Sequence, residues 1–374
     1  MNGNREPEHR IRRGRFSLAS SGLLTALILA AALGVIGVVW SAHLRGRLHK
    51  LSTTEIPPET SVVPRPGGQD VMDLHRITPG GGVAPQFTGI TLLPGVGMGI
   101  LQLTLDQPGR EPTGILVGTP TEKLGTVLAP NTSLPLETLQ FTPFSLKLLP
   151  SNGSGEAREL LGTHAASQSR TDILPGGTGV TATFASVPPP TPDGVVPAAL
   201  PLETTVSSTI SNRGLEVSIA AHNVSPQPQR VVVSWAPRFK LPPGGAEKLA
   251  LTPPESSEPR SADRPPADRI PLPANGFHHL WTGLKHTYLS AGPELQLHNV
   301  ADGYTLRMTA LTPSIRSVQV DSEPAAGFTS FRFTTAAAPD GPAGQETVIA
   351  PGESLEWRVR VQVATNQSYV APAN

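Results

Sequence analysis

Three histidines, His278, His279 and His286, stand close together in the segment FHHLWTGLKH. An imidazole can ligate a metal or move a proton near neutral pH. Strand alternation puts His279 on the opposite face from its neighbours, and no Asp or Glu lies within the segment to complete a ligand set. The three therefore read as polar loop histidines, and no metal site is expected. Gly95, Gly97 and Gly99 in LPGVGMGILQL do not form G-x-G-x-x-G and no helical pattern follows them. That rules out a dinucleotide cradle and predicts a strand start where backbones approach closely. No G-x-S-x-G elbow exists for a hydrolase serine. With no cysteine, thiolate metal sites, disulfides and cysteine nucleophiles are excluded. No cofactor is expected. Asn131, Asn152, Asn223 and Asn366 each open an N-x-[ST] triplet, a pattern that recurs by chance in a chain so rich in Ser and Thr.

The elements that must position any site are strands. The 374 residues include 41 Pro and 37 Gly, which leaves little room for long helices. From about residue 86 onward, short alternating apolar runs are broken by turn residues. They include GILQLTL (99–105), LEVSIAAHNV (215–224), QRVVVSW (229–235), ELQLHNV (294–300), FTSFRF (328–333) and LEWRVRVQV (355–363). Period-2 alternation bounded by Gly, Pro and Asn is the strand signature. Residues 86–365 are expected to form one all-β domain, a large antiparallel β-sandwich. Residues 242–275, with 9 Pro, read as a disordered insertion within it, and 366–374 as a tail.

Ahead of the sandwich, residues 16–40 run 25 positions without a charge and end on Trp40. As a helix this stretch would reach about 37 Å, enough to cross a bilayer core of about 30 Å. It is too long for the apolar region of a cleaved signal, and basic residues follow it. The expectation is a basic cytoplasmic tail (1–15), a transmembrane helix (16–40) and a Pro/Gly-rich stalk (41–85). Five arginines precede the span, and Arg45, Arg47 and Lys50 follow it. That bias puts the N-terminus in the cytoplasm and the main domain outside it, in the periplasm of a bacterium. The net charge of zero divides into +6 for residues 1–50 (8 Lys/Arg, 2 Asp/Glu) and −6 for the remainder (21 Lys/Arg, 27 Asp/Glu). An acidic body argues against a nucleic-acid partner.

Two segments carry a more specific likeness: LEVSIAAHNVSPQPQRVVVSWAPRFKLP (215–242) and VIAPGESLEWRVRVQV (348–363). A strand, an N-x-[ST] turn with prolines, a strand and a Pro-x-Phe, followed late in the chain by a PGESL turn and a final strand, resembles the galactose mutarotase-like superfamily of aldose 1-epimerases. The resemblance implies a large β-sandwich and a site that opens and closes a sugar ring. There a carboxylate takes the anomeric hydroxyl proton while an imidazolium protonates the ring oxygen.

Carried over by position, that machinery is replaced. The family's H-P-Y-F reads Ala236-Pro237-Arg238-Phe239, and its late Glu-Pro falls on Thr334 and Thr335. Glu323 and His164 remain as candidates for the acid–base pair. His164, Arg170, Trp235, Arg238 and His286 are the residues the resemblance assigns to a sugar-binding face. Three functions follow as expectations: carbohydrate recognition without the standard acid–base pair, an aldose 1-epimerase-type isomerase with relocated groups, or a structural or assembly protein of the cell envelope. The partners implied are a membrane, through one helix, and a sugar or glycan. A protein partner belongs to the third reading, whose mark would be a large apolar surface patch.

Overall fold

The computed structural model describes residues 51–53, 65–76, 83–120, 139–150, 156–162, 169–186, 199–255, 269–286, 291–337 and 346–366. The chain divides into two units, Met1–His49 and Lys50–Asn374, and every described residue belongs to the second. The expected tail and transmembrane helix lie outside the described residues. Among the described residues no helix is long and apolar enough to cross a membrane.

In chain order the strands are β1 (Leu51–Thr53), β2 (Met72–Arg76), β3 (Gln86–Leu93), β4 (Gly99–Asp106), β5 (Thr113–Gly114), β6 (Phe144–Leu149) and β7 (Arg158–Leu161). Next come β8 (Arg170–Ile173), β9 (Gly179–Phe184), β10 (Leu202–Ile210), β11 (Gly214–Asn223), β12 (Gln229–Trp235), β13 (Arg238–Lys240), β14 (Leu249–Thr252) and β15 (Ile270–Pro271). Then follow β16 (Phe277–Thr282), β17 (Glu294–Asn299), β18 (Tyr304–Ala310), β19 (Ser317–Glu323), β20 (Phe328–Thr334), β21 (Thr347–Ile349) and β22 (Ser354–Thr365). They form a five-stranded sheet β1-β2-β3-β4-β5, a nine-stranded sheet β15-β14-β17-β18-β22-β11-β10-β9-β8, and an eight-stranded sheet that includes β16-β19-β20-β12-β6-β7. The two remaining strands of that last sheet pair at its middle, β13 with β20 and β21 with β12. The expected all-β class and antiparallel sheets are present.

Alternation explains the layers. Along β12, Val231, Val233 and Trp235 are buried while Arg230, Val232 and Ser234 face the other way. In β22, Trp357, Val359, Val361 and Val363 point inward in the same manner. One continuous core collects residues from all three sheets, among them Leu74, Phe87, Val206, Val233, Phe331 and Trp357. Non-directional burial of these side chains is the main force joining the layers.

The glycine-rich segment behaves as its spacing predicts. A Cβ on Gly95 would stand 2.3 Å from the Pro66 carbonyl oxygen, and one on Gly99 would stand 2.5 Å from the Phe141 ring. Gly97 and Met98 both take positive φ at the β3–β4 turn, Met98 being fully buried.

Two expectations are corrected. The stretch 41–85 is not a stalk throughout, because β1 and β2 lie in it and β2 pairs with β3. Leu74 is fully buried, a contribution of about 1.5–3 kcal/mol for one such side chain, and it anchors β2 despite the Pro and Gly on either side. Nor is 242–275 disordered over its described residues. Leu249 and Leu251 alternate inward along β14, which pairs with β17 and β15, and Leu272 is buried beside them. The nine prolines masked this short alternation.

A histidine that the sequence reading passed over sits in this region. His298 on β17 is 3% exposed. Its ring nitrogens lie 2.8 Å from Thr252 Oγ1 and 2.9 Å from Thr305 Oγ1. Burial, helped by the nearby Arg269 cation, lowers its pKa from 6.5 to about 4. Between those values the unfolded chain holds the extra proton and the folded chain does not. The His298 contribution is therefore complete above pH 6.5 and shrinks as pH falls toward 4. Denaturant titrations across that range should show declining stability, with a shallower decline in His298→Gln. An unchanged slope in the variant would remove His298 as the cause.

Candidate functional site

The face of the eight-stranded sheet turned away from the core is polar, and its register can be read strand by strand. Core-facing positions are Val318 and Val320 on β19 and Phe331 and Phe333 on β20, so Gln319, Asp321, Ser330 and Arg332 take the outer face. In register, His278 of β16 stands opposite Asp321 of β19, Asp321 opposite Ser330 of β20, and Ser330 opposite Arg238 of β13. One step along, Leu280 faces Gln319 and Gln319 faces Arg332. A further step aligns Thr282, Ser317, Thr334, Ser234 and Ser145, five hydroxyls on five strands. The four-residue row from His278 to Arg238 spans roughly 14 Å at ordinary strand spacing.

Asp321 is the organising group. His278 Nδ1 is hydrogen bonded to its Oδ1, and Gln319 Nε2 donates to both carboxylate oxygens at 3.1 and 2.9 Å. The His278 side chain is 71% exposed and that of Asp321 20%, so the pair opens to solvent on the imidazole side. Arg238 lies over the Phe328 ring at 5.5 Å from its centroid. Planar amide and guanidinium donors and a carboxylate acceptor on one face suit a ligand that carries many hydroxyl groups, whereas the Ser317 and Thr334 hydroxyls are buried and bonded to the Ala336 backbone.

The residues singled out from sequence are dispersed. Arg238 is on this face. Trp235, on β12, is 1% exposed, and its ring stacks on Phe144 at 5.8 Å and 21°; it is a core side chain with no open face. Arg170 is on β8 at the edge of the nine-stranded sheet, pairs with Asp172 at 3.5 Å and is 82% exposed, so it belongs to a different sheet from Arg238. His286 follows β16, half-buried, with Nε2 buried and unbonded among the described residues. Glu323 is exposed at the end of β19, two residues from Asp321 and on the same side of the strand. His164 lies outside the described residues. Asp321, His278, Gln319 and Arg332 were not found from sequence as a group, because cross-strand register brings them together from positions up to 54 apart (332 − 278 = 54).

The two places where the resemblance expects catalytic groups lie at strand ends, Ala236 just past β12 and Thr334–Thr335 at the end of β20. Ser234 and Trp235, just before Ala236, pair with Thr334 and Phe333. Ala236 has no ionisable group. Thr335 Oγ1 accepts from the Val233 amide at 3.0 Å, and Thr334 Oγ1 from the Ala336 amide at 3.2 Å. Both threonines are buried and neutral.

The outer face of the nine-stranded sheet is built differently. Burial pushes the Glu216 carboxyl up, but hydrogen bonds from Arg358 and Arg360 outweigh it and hold the group below its usual range. Arg307 pairs with Glu294 at 2.9 Å. These charges satisfy one another. Exposed large apolar residues among those described are Val83, Ile173, Val224, Val300 and Val348, each on a separate strand or loop, and single residues of this kind do not make a docking patch. No group of three or more metal-ligating side chains occurs among the described residues.

No family model matches the sequence, and no curated protein matches it. Solved structures do share its fold. A galactose mutarotase-like protein from Clostridium acetobutylicum superposes with a TM-score of 0.52 at 8% identity, covering 84% of this chain and 99% of that one. A galactose mutarotase-like protein from Lactobacillus casei gives 0.51 at 10% identity, over 74% and 97%. An aldose epimerase homologue from C. elegans gives 0.50 at 12% identity, over 74% and 95%. The class is thus defined by architecture: an all-β chain with the galactose mutarotase-like fold.

Proposed function

We propose that this chain is a membrane-anchored carbohydrate-binding protein whose main domain lies outside the cytoplasm and which lacks the standard epimerase acid–base pair. The observation that carries the reading is the polar outer face of the eight-stranded sheet, where Asp321, Gln319, Ser330, Arg238 and Arg332 lie in adjacent register rows. The shared fold with mutarotase-like and aldose epimerase proteins adds support for a sugar as the ligand. Ala236 cannot exchange a proton, and a neutral threonine is a poor base near pH 7. Titration of the full chain with aldoses and oligosaccharides should give saturable binding that Asp321→Ala weakens about tenfold or more, the scale of a charge-assisted hydrogen bond. Absence of binding to every sugar would remove the reading. The anchor rests on the uncharged run 16–40; the full chain should stay with membranes through an alkaline wash, and a chain lacking residues 1–40 should not.

One observation favours a second reading, that of an isomerase with relocated groups. His278, hydrogen bonded to Asp321, is a proton-transfer group on the same face as Glu323. Polarimetry on freshly dissolved galactose and glucose separates the two readings. Accelerated mutarotation that His278→Gln abolishes would establish the isomerase, and a rate equal to buffer would exclude it.

A further inference from the structure

Many of the described arginines meet an acid. Arg65 pairs with Asp70, Arg110 with Asp302, Arg230 with Glu346, Arg307 with Glu294, and Arg358 and Arg360 with Glu216. Among the described residues, Arg238 and Arg332 have neither an ion pair nor a hydrogen bond, although both are half-buried on the outer face of the eight-stranded sheet. Arg158 and Arg213 are also without an acid, but they are exposed and hydrated. A half-buried guanidinium loses part of its hydration; the Phe328 ring offsets some of that for Arg238, and a full charge-assisted partner for either group would be an anion.

The register fixes the separation of the two. Arg238 is directly opposite Ser330, and Arg332 lies two residues beyond Ser330 on the same side of β20. Diagonal neighbours of this kind are roughly 7–8 Å apart at the backbone, within reach of two long side chains converging on one group. Arg238 is held over Phe328, which restricts its rotamers before any ligand arrives. Ser330 lies between the two arginines, and Gln319 stands opposite Arg332.

We infer that Arg238 and Arg332 form a subsite for a carboxylate carried on a sugar, so that the preferred ligand is a uronate-containing glycan. The inference rests on the carbohydrate-binding reading and adds the ligand's charge to it. Planar guanidinium donors match a carboxylate bidentately. The same face carries Asp321 and Glu323, which repel a singly charged carboxylate less than a doubly charged phosphate.

The test compares three probes on the full chain by calorimetric titration: an oligogalacturonate, the neutral oligogalactose of the same length, and galactose 6-phosphate. The expected result is a preference for the uronate over the neutral sugar of about tenfold or more, narrowing as salt rises. Arg332→Gln should collapse that ratio, Arg332→Lys should restore it in part, and Arg213→Gln should leave it as in the parent. Equal binding of neutral and uronate sugars would overturn this inference and leave the carbohydrate reading standing. Tighter binding of the phosphate would overturn the carboxylate assignment. Binding of none of the three, with no other sugar bound, would overturn the underlying reading as well.

Discussion

Trp235→Ala is expected to destabilise the protein by about 3–5 kcal/mol, and Trp235→Phe to leave it folded and, on the proposed function, to bind sugar as the parent does. The side chain is 1% exposed, stacked on Phe144 and paired in register with Phe144 on one side and Phe333 on the other. Removing the indole would open a cavity among rigid neighbours, and typical domains hold only about 5–15 kcal/mol in total. The phenylalanine variant behaves differently for a specific reason. The Trp235 indole nitrogen is buried without a hydrogen-bond acceptor, and an unsatisfied buried donor costs about 1–3 kcal/mol. Phe deletes that donor along with part of the volume, so the two changes oppose each other. Denaturant unfolding of both variants, alongside sugar titration of Trp235→Phe, checks the argument. A folded Trp235→Phe that no longer bound sugar would return Trp235 to the ligand.

That result would also mark where sequence reading succeeds and where it stops. Strong alternation located β12 at Gln229–Trp235 and β17 at Glu294–Asn299 almost to the residue. Each strand carries its own period-2 signal, so it is legible in isolation. The signals of β2 and β14 were as regular but only four or five residues long, and flanking Pro and Gly outweighed them.

The site is harder because it is assembled by register. His278 and Asp321 meet across the β16–β19 ladder, and a strand slipped by one residue would send either to the core. Arg332 was available from the alternation of FTSFRF, which buries Phe331 and Phe333 and turns Arg332 outward. Arg170 shows the converse. Nothing local says that β8 joins the nine-stranded sheet, and so nothing local separates Arg170 from Arg238.

Asn223 explains why the resemblance was visible at all. It opens the N-x-[ST] triplet of the first motif segment, and the structure makes it a lock between that segment and the second. Fully buried, it donates through Nδ2 to the Gln227 carbonyl at 2.8 Å and the Ile349 carbonyl at 2.9 Å, while Oδ1 accepts from the Ser225 amide and hydroxyl at 3.0 and 2.7 Å. Its backbone amide donates to the Glu353 carbonyl, and its own carbonyl accepts from the Gly352 amide, both at 2.9 Å. The N-x-[ST] turn and the PGESL turn are therefore two halves of one corner, and a buried asparagine so engaged is not a glycan acceptor in the folded chain. Asn223→Ala would strand two carbonyls, one of them buried, and is expected to cost about 1–3 kcal/mol, the scale for one buried unsatisfied group. Ser225→Ala removes only one hydroxyl from the edge of the corner and should cost about 1 kcal/mol or less. Equal losses in the two variants would mean that the turn, rather than the link to residues 349–353, carries the energy. The motif pattern in this sequence is thus one that holds sheets together, which is why the fold could be read from it while the polar face of the eight-stranded sheet, held by no such motif, had to be found in three dimensions.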